Sequence, residues 1–482
     1  MFNIDNTPNE LKYILYHFNR VACYPTYLCG GCVRDMFIGK EPDDYDICTS
    51  ATPDEIIKEI KALKYIESQY NECGSEYNKI DYIPTGLKHG TITIVINEYQ
   101  FEITTFRIDG DYSDSRRPDE VIFTKDIVKD LSRRDFTVNA IAYNYFDDEI
   151  IDPFNGIRDI KEKVIRCVGN PDDRFKEDGL RILRAIRFAS QLGFKIDEST
   201  AKAIYKNKFM LYDISRERIQ SEIFKILSSP YCGCDEIRNY KDIFTLIIPE
   251  LYPMIGFKQN NPYHLYDVWE HTLHCLEFLS NSVTGEDFDD ISLRLAILLH
   301  DIGKPVCYTE DANGIGHFYG HAKVSEEVTR IILKELKCSN EIIRNVCELI
   351  HYHDVTFTVN KSFVKRMLNK IGEEQFRRLL LLRKCDLHGQ KADYERLIKP
   401  SEITVILNDI IIENECFKLK DLDVNGNDLI KHGIPEGKII GNILNELLVM
   451  VIDGEIANEK DKLLEMTDLI LKSKNKVICN ES

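Results

Sequence analysis

The sequence lacks most features that mark membrane, fibrous or disulfide-stabilised proteins. It has one tryptophan, 25 glycines and 15 prolines in 482 residues, with no internal repeat, which excludes collagen-like and low-complexity chains. No apolar run is long enough to span a bilayer, and no signal-peptide pattern is present. We therefore expect no membrane partner, and reduced thiols for the 15 cysteines in a cytoplasmic protein.

Positive charge is also scarce. The chain has 62 lysines and arginines against 80 aspartates and glutamates, a formal net charge of −18. Nucleic-acid-binding proteins are usually basic because their cations replace counterions on phosphates. Charge alone therefore disfavours a nucleic-acid partner, unless basic side chains are concentrated in one place.

The length and the residue patterns indicate several domains, with strands confined to the first 150 residues. The alternating segments His89–Ile96 and Gln100–Arg107, separated by Asn97 and Glu98, predict a β-hairpin. After Pro171 the patterns are helical.

One of the predicted helices is particularly clear. The segment 173–194 is predicted to form a single helix that ends at Gly193. Pro400 is predicted to mark the boundary before the C-terminal part of the chain.

The stretch "CGGCVRDMFIGKEPDDYDICTS", residues 29–50, allows two kinds of chemistry. Cys29 and Cys32 have the spacing of a redox pair or half a zinc site. Zinc needs four ligands and no second C-x-x-C follows, so two small buried residues are the simpler interpretation.

The glycines and aspartates of the same stretch indicate phosphate and metal chemistry. Gly30 and Gly31 let backbone N–H groups approach a triphosphate, with Arg34 following in a predicted helix. Asp44 and Asp46 are two residues apart, so on a strand both carboxylates face one side. Two such oxygen ligands suit Mg²⁺ that bridges substrate phosphates.

The longer stretch "GGCVRDMFIGKEPDDYDICTSATPDE" resembles the head-domain signature of class II tRNA nucleotidyltransferases, the CCA-adding enzymes of the polymerase β superfamily. It matches G-G-x-V-R-D, D-x-D and a T-S-A-T-P-like tail. The resemblance implies an α+β protein with a polymerase-β-like head of mixed sheet and helices. An all-helical neck, an HD-containing body and a tail would follow, with limits 1–150, 151–245, 246–398 and 399–482.

"LSRRDFTVNAIAYN", residues 131–144, resembles the second motif of that family, R-R-D-F-T-x-N-A. The resemblance implies that Asp135 contacts the ribose 2′-hydroxyl and that Arg134 supports the triphosphate. Asn139 belongs to the same nucleotide-binding set.

"EDGLR", residues 177–181, resembles the family motif E-D-x-x-R. On a helix Asp178 and Arg181 would share a face, so the carboxylate could accept from an exocyclic amine while the guanidinium donates to a ring nitrogen. Cytosine and adenine offer that pattern, whereas uracil and guanine present the opposite polarity. A plain helical salt bridge is the alternative. Arg184 is also assigned to the nucleotide site.

Glu102 is a candidate third catalytic carboxylate beside the two aspartates, or else a partner that orients Arg107. "DYSDSRRP" resembles the flexible motif of the family, and Asp114 and Arg116 match its polar pair. The resemblance connects this loop with the switch from C to A addition, which favours a full CCA-adder over CC-adding relatives.

A second group of residues lies in the helical part. Its imidazoles and carboxylates suit a divalent metal and resemble the HD phosphohydrolase pattern H…HD…D, with two extra histidines of two-metal forms. They are His271, His300, Asp301, His321, His353 and Asp386. The HD-like pattern is similar to that of bacterial family members that carry an HD domain. Mn²⁺, Ni²⁺ or Mg²⁺ are the candidate ions, and the site is either an active phosphohydrolase or a scaffold.

The predicted function is template-independent addition of CCA to the 3′ end of tRNA from CTP and ATP, with two Mg²⁺ ions and release of pyrophosphate. The glycine turns of the tail would contact tRNA, and no obligate protein partner is evident. Five arginines are candidates for a tRNA path: Arg181, Arg184, Arg187, Arg216 and Arg218. The alternatives are a bacterial poly(A) polymerase, a CC- or A-adding specialist, and a metal-dependent phosphohydrolase with a non-catalytic head.

Overall fold

The computed structural model describes residues 7–70, 79–110, 120–229, 233–282, 290–391 and 394–480. The chain divides into two compact units, Met1–Ile247 and Ile248–Ser482. The loop residues Asp114 and Arg116 lie outside the described residues. The finer division into four domains stays a prediction.

The first unit contains a mixed seven-stranded sheet with the strand order β3-β4-β5-β2-β1-β8-β9. The described strands of the chain are β1 (Thr26–Cys29), β2 (Asp46–Thr49), β3 (Ile80–Gly86), β4 (Thr91–Ile96), β5 (Tyr99–Thr105), β6 (Arg107–Asp109), β7 (Val121–Phe123), β8 (Ala142–Asn144), β9 (Glu149–Ile151), β10 (Val164–Ile165), β11 (Lys195–Ile196), β12 (Thr309–Glu310) and β13 (Gly316–His317). Within the sheet β2 and β5 are parallel and the other neighbours are antiparallel. The predicted α+β head is therefore confirmed.

The predicted hairpin is present as β4 and β5. Every second residue of β4, namely Ile92, Ile94 and Ile96, is fully buried, which is the alternation expected of a half-buried strand. Asn97 in the connection has a φ of 50°, a left-handed conformation that asparagine tolerates in tight hairpin turns.

The first unit has eleven described α-helices, some between the strands of the sheet and most after them. They are α1 (Asn9–Tyr16), α2 (Gly31–Ile38), α3 (Pro53–Tyr70), α4 (Ile127–Ser132), α5 (Gly156–Glu162), α6 (Pro171–Glu177), α7 (Arg181–Leu192), α8 (Glu198–Asn207), α9 (Arg216–Leu227), α10 (Cys234–Asn239) and α11 (Lys241–Ile247). Gly193 ends α7 with a φ of 64°, as predicted.

The prediction of one helix over residues 173–194 was wrong, because the chain breaks between α6 and α7. Asp178 is extended, with φ −147° and ψ 106°, and its side chain accepts a hydrogen bond from the Leu180 amide at 3.0 Å. An aspartate that caps the next turn in this way leaves the helical conformation. The break places Asp178 at the junction of the two helices instead of on a helix face.

The second unit is mostly helical. Its helices are α12 (Val268–Ser282), α13 (Ile291–Leu299), α14 (Lys304–Cys307), α15 (His321–Glu335), α16 (Asn340–Tyr352), α17 (Lys361–His388), α18 (Tyr394–Ile412), α19 (Gly426–Lys431), α20 (Lys438–Ile452) and α21 (Lys460–Asn480). Pro400 does not end a helix but lies inside α18. None of the described helices combines the length and apolarity that a membrane span requires.

Candidate functional site

A glycine loop between β1 and α2 forms one wall of the candidate nucleotide site. Gly30 has a φ of 80°, and a Cβ placed on it would lie 2.7 Å from Nη1 of Arg134 and 3.4 Å from Oδ2 of Asp46. Only glycine therefore fits between the predicted phosphate ligand and the predicted metal ligand. Gly31 follows as the first residue of α2, whose N-terminal amides favour an anion.

Replacing Gly30 by alanine should raise the KM for CTP and ATP about tenfold, because the new methyl group must displace the guanidinium of Arg134. Titration of CTP addition measures it. Gly39→Ala is the matched control, since Gly39 has a similar φ of 76° and a Cβ there meets nothing within 4 Å. An equal rise of KM in Gly39→Ala would show that backbone strain, not the contact with Arg134, is the cause.

The three predicted catalytic carboxylates lie beside one another at the edge of β2. Asp46 is the first residue of that strand and is the direct register partner of Glu102 on β5. Asp44 precedes the strand in a bend, so the expectation that both aspartates stand on one strand was wrong. Asp44 and Asp46 nevertheless line the same cavity.

The donor set at β2 fits a divalent cation with oxygen ligands. Burial raises the pKa of Asp46, and the neighbouring charges of Asp44 and Glu102 raise it further, while Arg134 opposes them. Three carboxylates that destabilise one another's charge are stabilised by a bound cation, and oxygen ligands are those that Mg²⁺ prefers. The residues present therefore fit the predicted metal.

Asp135 of the second motif forms an ion pair with Arg184 in the candidate site. Oδ2 of Asp135 accepts from Nε and Nη2 of Arg184 at 2.9 and 2.6 Å, and Oδ1 accepts from Nδ2 of Asn139 at 3.2 Å. Asn139 in turn accepts from Nη1 of Arg34 at 2.7 Å. Burial would raise the pKa of Asp135, but Arg184 and Arg181 outweigh it and hold the pKa well below its usual value. Asp135 is therefore an ionised acceptor fixed in one orientation.

Cys29 contacts Arg134, a residue predicted to bind the nucleotide. The sequence did not reveal this contact. Sγ of Cys29 accepts a hydrogen bond from Nη2 of Arg134 at 2.9 Å across 105 residues of sequence. A hydrogen bond from Cys48 and the charge of Arg134 lower the pKa of the Cys29 thiol in spite of its burial. Cys32 donates to the Cys29 carbonyl at 3.2 Å and lies 3.9 Å from the Asp46 carbonyl. The Cys29 thiol thus supports the side chain of Arg134.

Asp178, the carboxylate predicted to select the base, is held by Arg218. Nη2 of Arg218 donates to Oδ2 of Asp178 at 2.7 Å. Arg181 instead donates to Glu177 and to the Arg133 carbonyl. Because the helix breaks at Asp178, the two residues do not share a helix face as predicted, although both line the same cavity.

These residues surround a cavity of about 560 Å³ in the first unit. Its described lining combines four aspartates, Asp44, Asp46, Asp135 and Asp178, with seven arginines: Arg34, Arg133, Arg134, Arg181, Arg184, Arg187 and Arg218. An excess of guanidinium groups suits a triphosphate, since arginine binds phosphate through paired N–H donors. The acidic protein therefore holds a locally basic cavity.

The six HD-like residues of the second unit also come together. Each of the four histidines donates its Nδ1 hydrogen to a backbone carbonyl, at 2.9, 2.7, 2.9 and 2.6 Å for His271, His300, His321 and His353. This fixes the tautomer and leaves Nε2 of each ring as a lone-pair donor.

Asp301 lies between two groups of these nitrogens. Its Oδ2 is 3.4 and 3.2 Å from Nε2 of His271 and His300, and its Oδ1 is 3.4 and 3.8 Å from Nε2 of His321 and His353. Oδ1 of Asp386 lies 3.2 Å from Nε2 of His271.

The two groups, His271, His300 and Asp386 on one side and Asp301, His321 and His353 on the other, have ligand atoms that would suit divalent cations. Nε2 of His321 and Nε2 of His353 are 3.1 Å apart, and burial with the neighbouring histidines lowers the pKa of His353 to about 3. Protonation of His353 is therefore disfavoured, whereas a metal cation would suit the two facing nitrogens. Cys275 adds a sulfur 3.6 Å from Nε2 of His271, but burial raises the pKa of its thiol and makes it a poor ligand.

Family models match three parts of the chain. Residues 26–166 match the "Poly A polymerase head domain", residues 193–251 the "Probable RNA and SrmB-binding site of polymerase A", and residues 309–467 a tRNA nucleotidyltransferase domain 2.

Curated relatives and solved structures extend the similarity to nearly the whole chain. The CCA-adding enzyme of Limosilactobacillus reuteri (strain DSM 20016) is 32% identical over 94% of both chains, and that of Ligilactobacillus salivarius is 30% identical over 98% of this chain and 99% of its own. The crystal structure of the Bacillus stearothermophilus CCA-adding enzyme in complex with CTP has a TM-score of 0.69 at 25% identity, over 98% and 99% of the two chains. The Thermotoga maritima CCA-adding enzyme complexed with tRNA shares the fold, with a TM-score of 0.57 at 22% identity over 97% and 96%. This chain belongs to the family of CCA-adding enzymes.

Proposed function

We propose that this protein adds CCA to the 3′ end of tRNA, using CTP and ATP and releasing pyrophosphate. The observation that carries the proposal is the arginine-rich cavity lined by Asp44 and Asp46, with Glu102 as the strand partner of Asp46. The matching relatives, which cover nearly the whole chain, carry the name of this activity. We propose the cytoplasm as its location, because tRNA, CTP and ATP meet there.

In the proposed reaction each part of the cavity has one role. The carboxylates of Asp44, Asp46 and Glu102 would hold Mg²⁺, which lowers the pKa of the tRNA 3′-hydroxyl and neutralises the departing pyrophosphate. Arg34 and Arg134, with the amides after Gly30, would bind the triphosphate.

Asp135 would accept from the ribose hydroxyl, because its carboxylate is ionised and fixed by Arg184 and Asn139. Asp135 already accepts four hydrogen bonds, two from Arg184, one from Asn139 and one from the Phe136 amide, so the ribose hydroxyl would have to share or replace one of these donors.

Base choice would depend on Asp178 as an acceptor of defined orientation. Its Oδ1 accepts from the Leu180 amide and its Oδ2 from Arg218. A carboxylate can only accept, so it matches the amine of cytosine or adenine and opposes the carbonyl of uracil or guanine. Arg181, on the same cavity wall, would donate to the ring nitrogen.

Replacing Arg218 by methionine should raise incorporation of UTP and GTP, relative to CTP and ATP, at least tenfold. The change removes a charge-assisted hydrogen bond worth about 1.5–3 kcal/mol, so the Asp178 carboxylate gains freedom to rotate. Competition between CTP and UTP during addition measures the ratio. Arg216→Met, on the same helix, is the control, because Arg216 donates only to the Ile247 carbonyl at 3.3 Å among the contacts described. Unchanged selectivity in Arg218→Met would remove Arg218 from base choice.

The decisive test of the function is addition to tRNA that lacks its 3′ CCA, with Mg²⁺ and with CTP, ATP, both or neither. Two residues with CTP alone and three with both nucleotides are expected. A long ladder with ATP alone would instead indicate a poly(A) polymerase. Exactly two additions with both nucleotides would indicate a CC-adding specialist.

We propose metal-dependent phosphohydrolase activity as a second function. The two groups of histidines and carboxylates around Asp301 support it. A bound metal would supply an activated water against a phosphoester. Lys304, 2.7 Å from Oδ2 of Asp301, and Arg383, 2.7 Å from Oδ2 of Asp386, keep these carboxylates ionised and place positive charge where a phosphate would enter. Both cations line a cavity of about 300 Å³ with the cluster. Release of phosphate from a nucleoside monophosphate in the presence of Mn²⁺, Ni²⁺ or Mg²⁺ tests the proposed phosphohydrolase activity.

A further inference from the structure

A short 3₁₀ turn in the first unit, Lys208–Asp213, carries two exposed aromatic rings. Phe209 is 59% exposed and Tyr212 is 63% exposed. A 3₁₀ helix has three residues per turn, so side chains three apart lie on the same face. The two ring centroids are 6.1 Å apart with planes tilted by 31°. Phe209 and Tyr212 thus form one solvent-exposed aromatic surface.

This turn packs directly against the base-selecting loop. A Cβ placed on Gly179, the residue after Asp178, would lie 3.0 Å from the carbonyl oxygen of Met210 and 3.1 Å from its Cβ. Met210 stands between the two aromatic residues in sequence, and Leu211, which is 2% exposed, anchors the turn in the core. The aromatic surface is therefore adjacent to the loop that would choose the base.

The charge at this surface suits nucleic acid. Nζ of Lys208 lies 5.5 Å from the centre of the Phe209 ring, so a phosphate next to a stacked base would meet a cation. Stacking is independent of base identity and needs no large positive potential, which matters for a protein with a net charge of −18. The turn also lies within residues 193–251, the part matched by the model described as a probable RNA-binding site.

We propose that Phe209 and Tyr212 stack on unpaired bases at the 3′ end of the acceptor RNA, with Lys208 against the adjoining phosphate. The inference rests on the proposed nucleotidyltransferase function, which requires such an end to reach the cavity. Double-stranded RNA hides its base faces inside the helix, so the single-stranded 3′ end is the occupant that two bare rings fit.

The test compares wild-type protein with the double variant Phe209→Ala/Tyr212→Ala in CTP addition to tRNA lacking CCA. The KM for tRNA should rise at least tenfold, because the two stacked bases together contribute at least that much to binding. The KM for CTP should stay unchanged, since neither ring lines the nucleotide cavity. Tyr212→Phe should keep the wild-type KM for tRNA, because the ring remains.

Tyr65→Ala is the matched control, since Tyr65 is an aromatic residue of α3 that is 67% exposed in the same unit. An equal rise of the tRNA KM in this control, or a double variant within twofold of wild type, would overturn the proposal.

A binding measurement separates this inference from the proposed function. Fluorescence of 2-aminopurine at the last position of the tRNA should be quenched by wild-type protein and not by the double variant. Equal quenching by both would overturn the stacking proposal. Because this readout needs no catalysis, a wild-type protein that quenches but adds no nucleotide would overturn the proposed activity alone.

Discussion

Replacing Asp46 by asparagine should lower the rate of CTP addition about 10³-fold. This is the largest effect expected for a single substitution in the first unit. Asp46 lies against Gly30 and is the strand partner of Glu102, and its pKa is raised by burial and by the charges of Asp44 and Glu102, which a bound cation would offset. Asparagine keeps the size but removes the charge that would hold Mg²⁺. Single-turnover addition to tRNA lacking CCA measures the rate.

Asp43→Asn is the control for that experiment. Asp43 belongs to the same loop, but its side chain is 87% exposed and pairs only with Lys40 at 3.3 Å among the described contacts. It should keep wild-type activity. The Asp46 variant should also keep any phosphohydrolase activity of the second unit. If Asp46→Asn added nucleotides at the wild-type rate, β2 would not be the catalytic edge and the head would have a different role.

Local sequence patterns predicted those elements whose causes are local. The hairpin of β4 and β5 followed from alternation and from a turn at Asn97, and the helix end at Gly193 followed from a left-handed glycine. The assembly of both sites from distant segments was predicted by the family resemblance, which supplied the order of the motifs.

What the sequence did not predict depends on contacts between distant residues. Asp178 leaves the helix because it caps the next turn, while Gly179 packs closely against Met210, 31 positions further on. The arginine that pairs with Asp178 is Arg218, 40 residues away. No periodicity within either segment encodes such a pair, because helical spacing relates only neighbours on one helix.

Pro400 illustrates the same limit. Proline usually ends or kinks a helix because it lacks an N–H donor. In α18 the helix continues nevertheless, and the residue is buried in the second unit. Tertiary packing of the helix offsets the lost hydrogen bond, and such packing cannot be deduced from one proline in the sequence.

Replacing Asp301 by asparagine should abolish metal binding at the HD-like cluster and with it any phosphohydrolase activity. Asp301 is 1% exposed and faces all four lone-pair nitrogens, so its carboxylate would contribute to binding a cation in either group. Its pKa is held well below the usual value in spite of burial, chiefly by His300 and Lys304, so a charge is present to bind a cation. Metal content after dialysis against Mn²⁺ measures the loss.

Thermal unfolding provides a readout that does not depend on activity. A cation that binds only the folded state should raise the Tm of wild-type protein with increasing Mn²⁺, and the Tm of Asp301→Asn should not respond. Glu277→Gln is the control, because Glu277 pairs with His274, which belongs to neither ligand group, at 2.9 Å in the same unit. CCA addition should persist in both variants. A wild-type Tm that ignores Mn²⁺, Ni²⁺ and Mg²⁺ would instead make the buried cluster a hydrogen-bonded scaffold, in which the imidazoles and carboxylates satisfy one another without an ion.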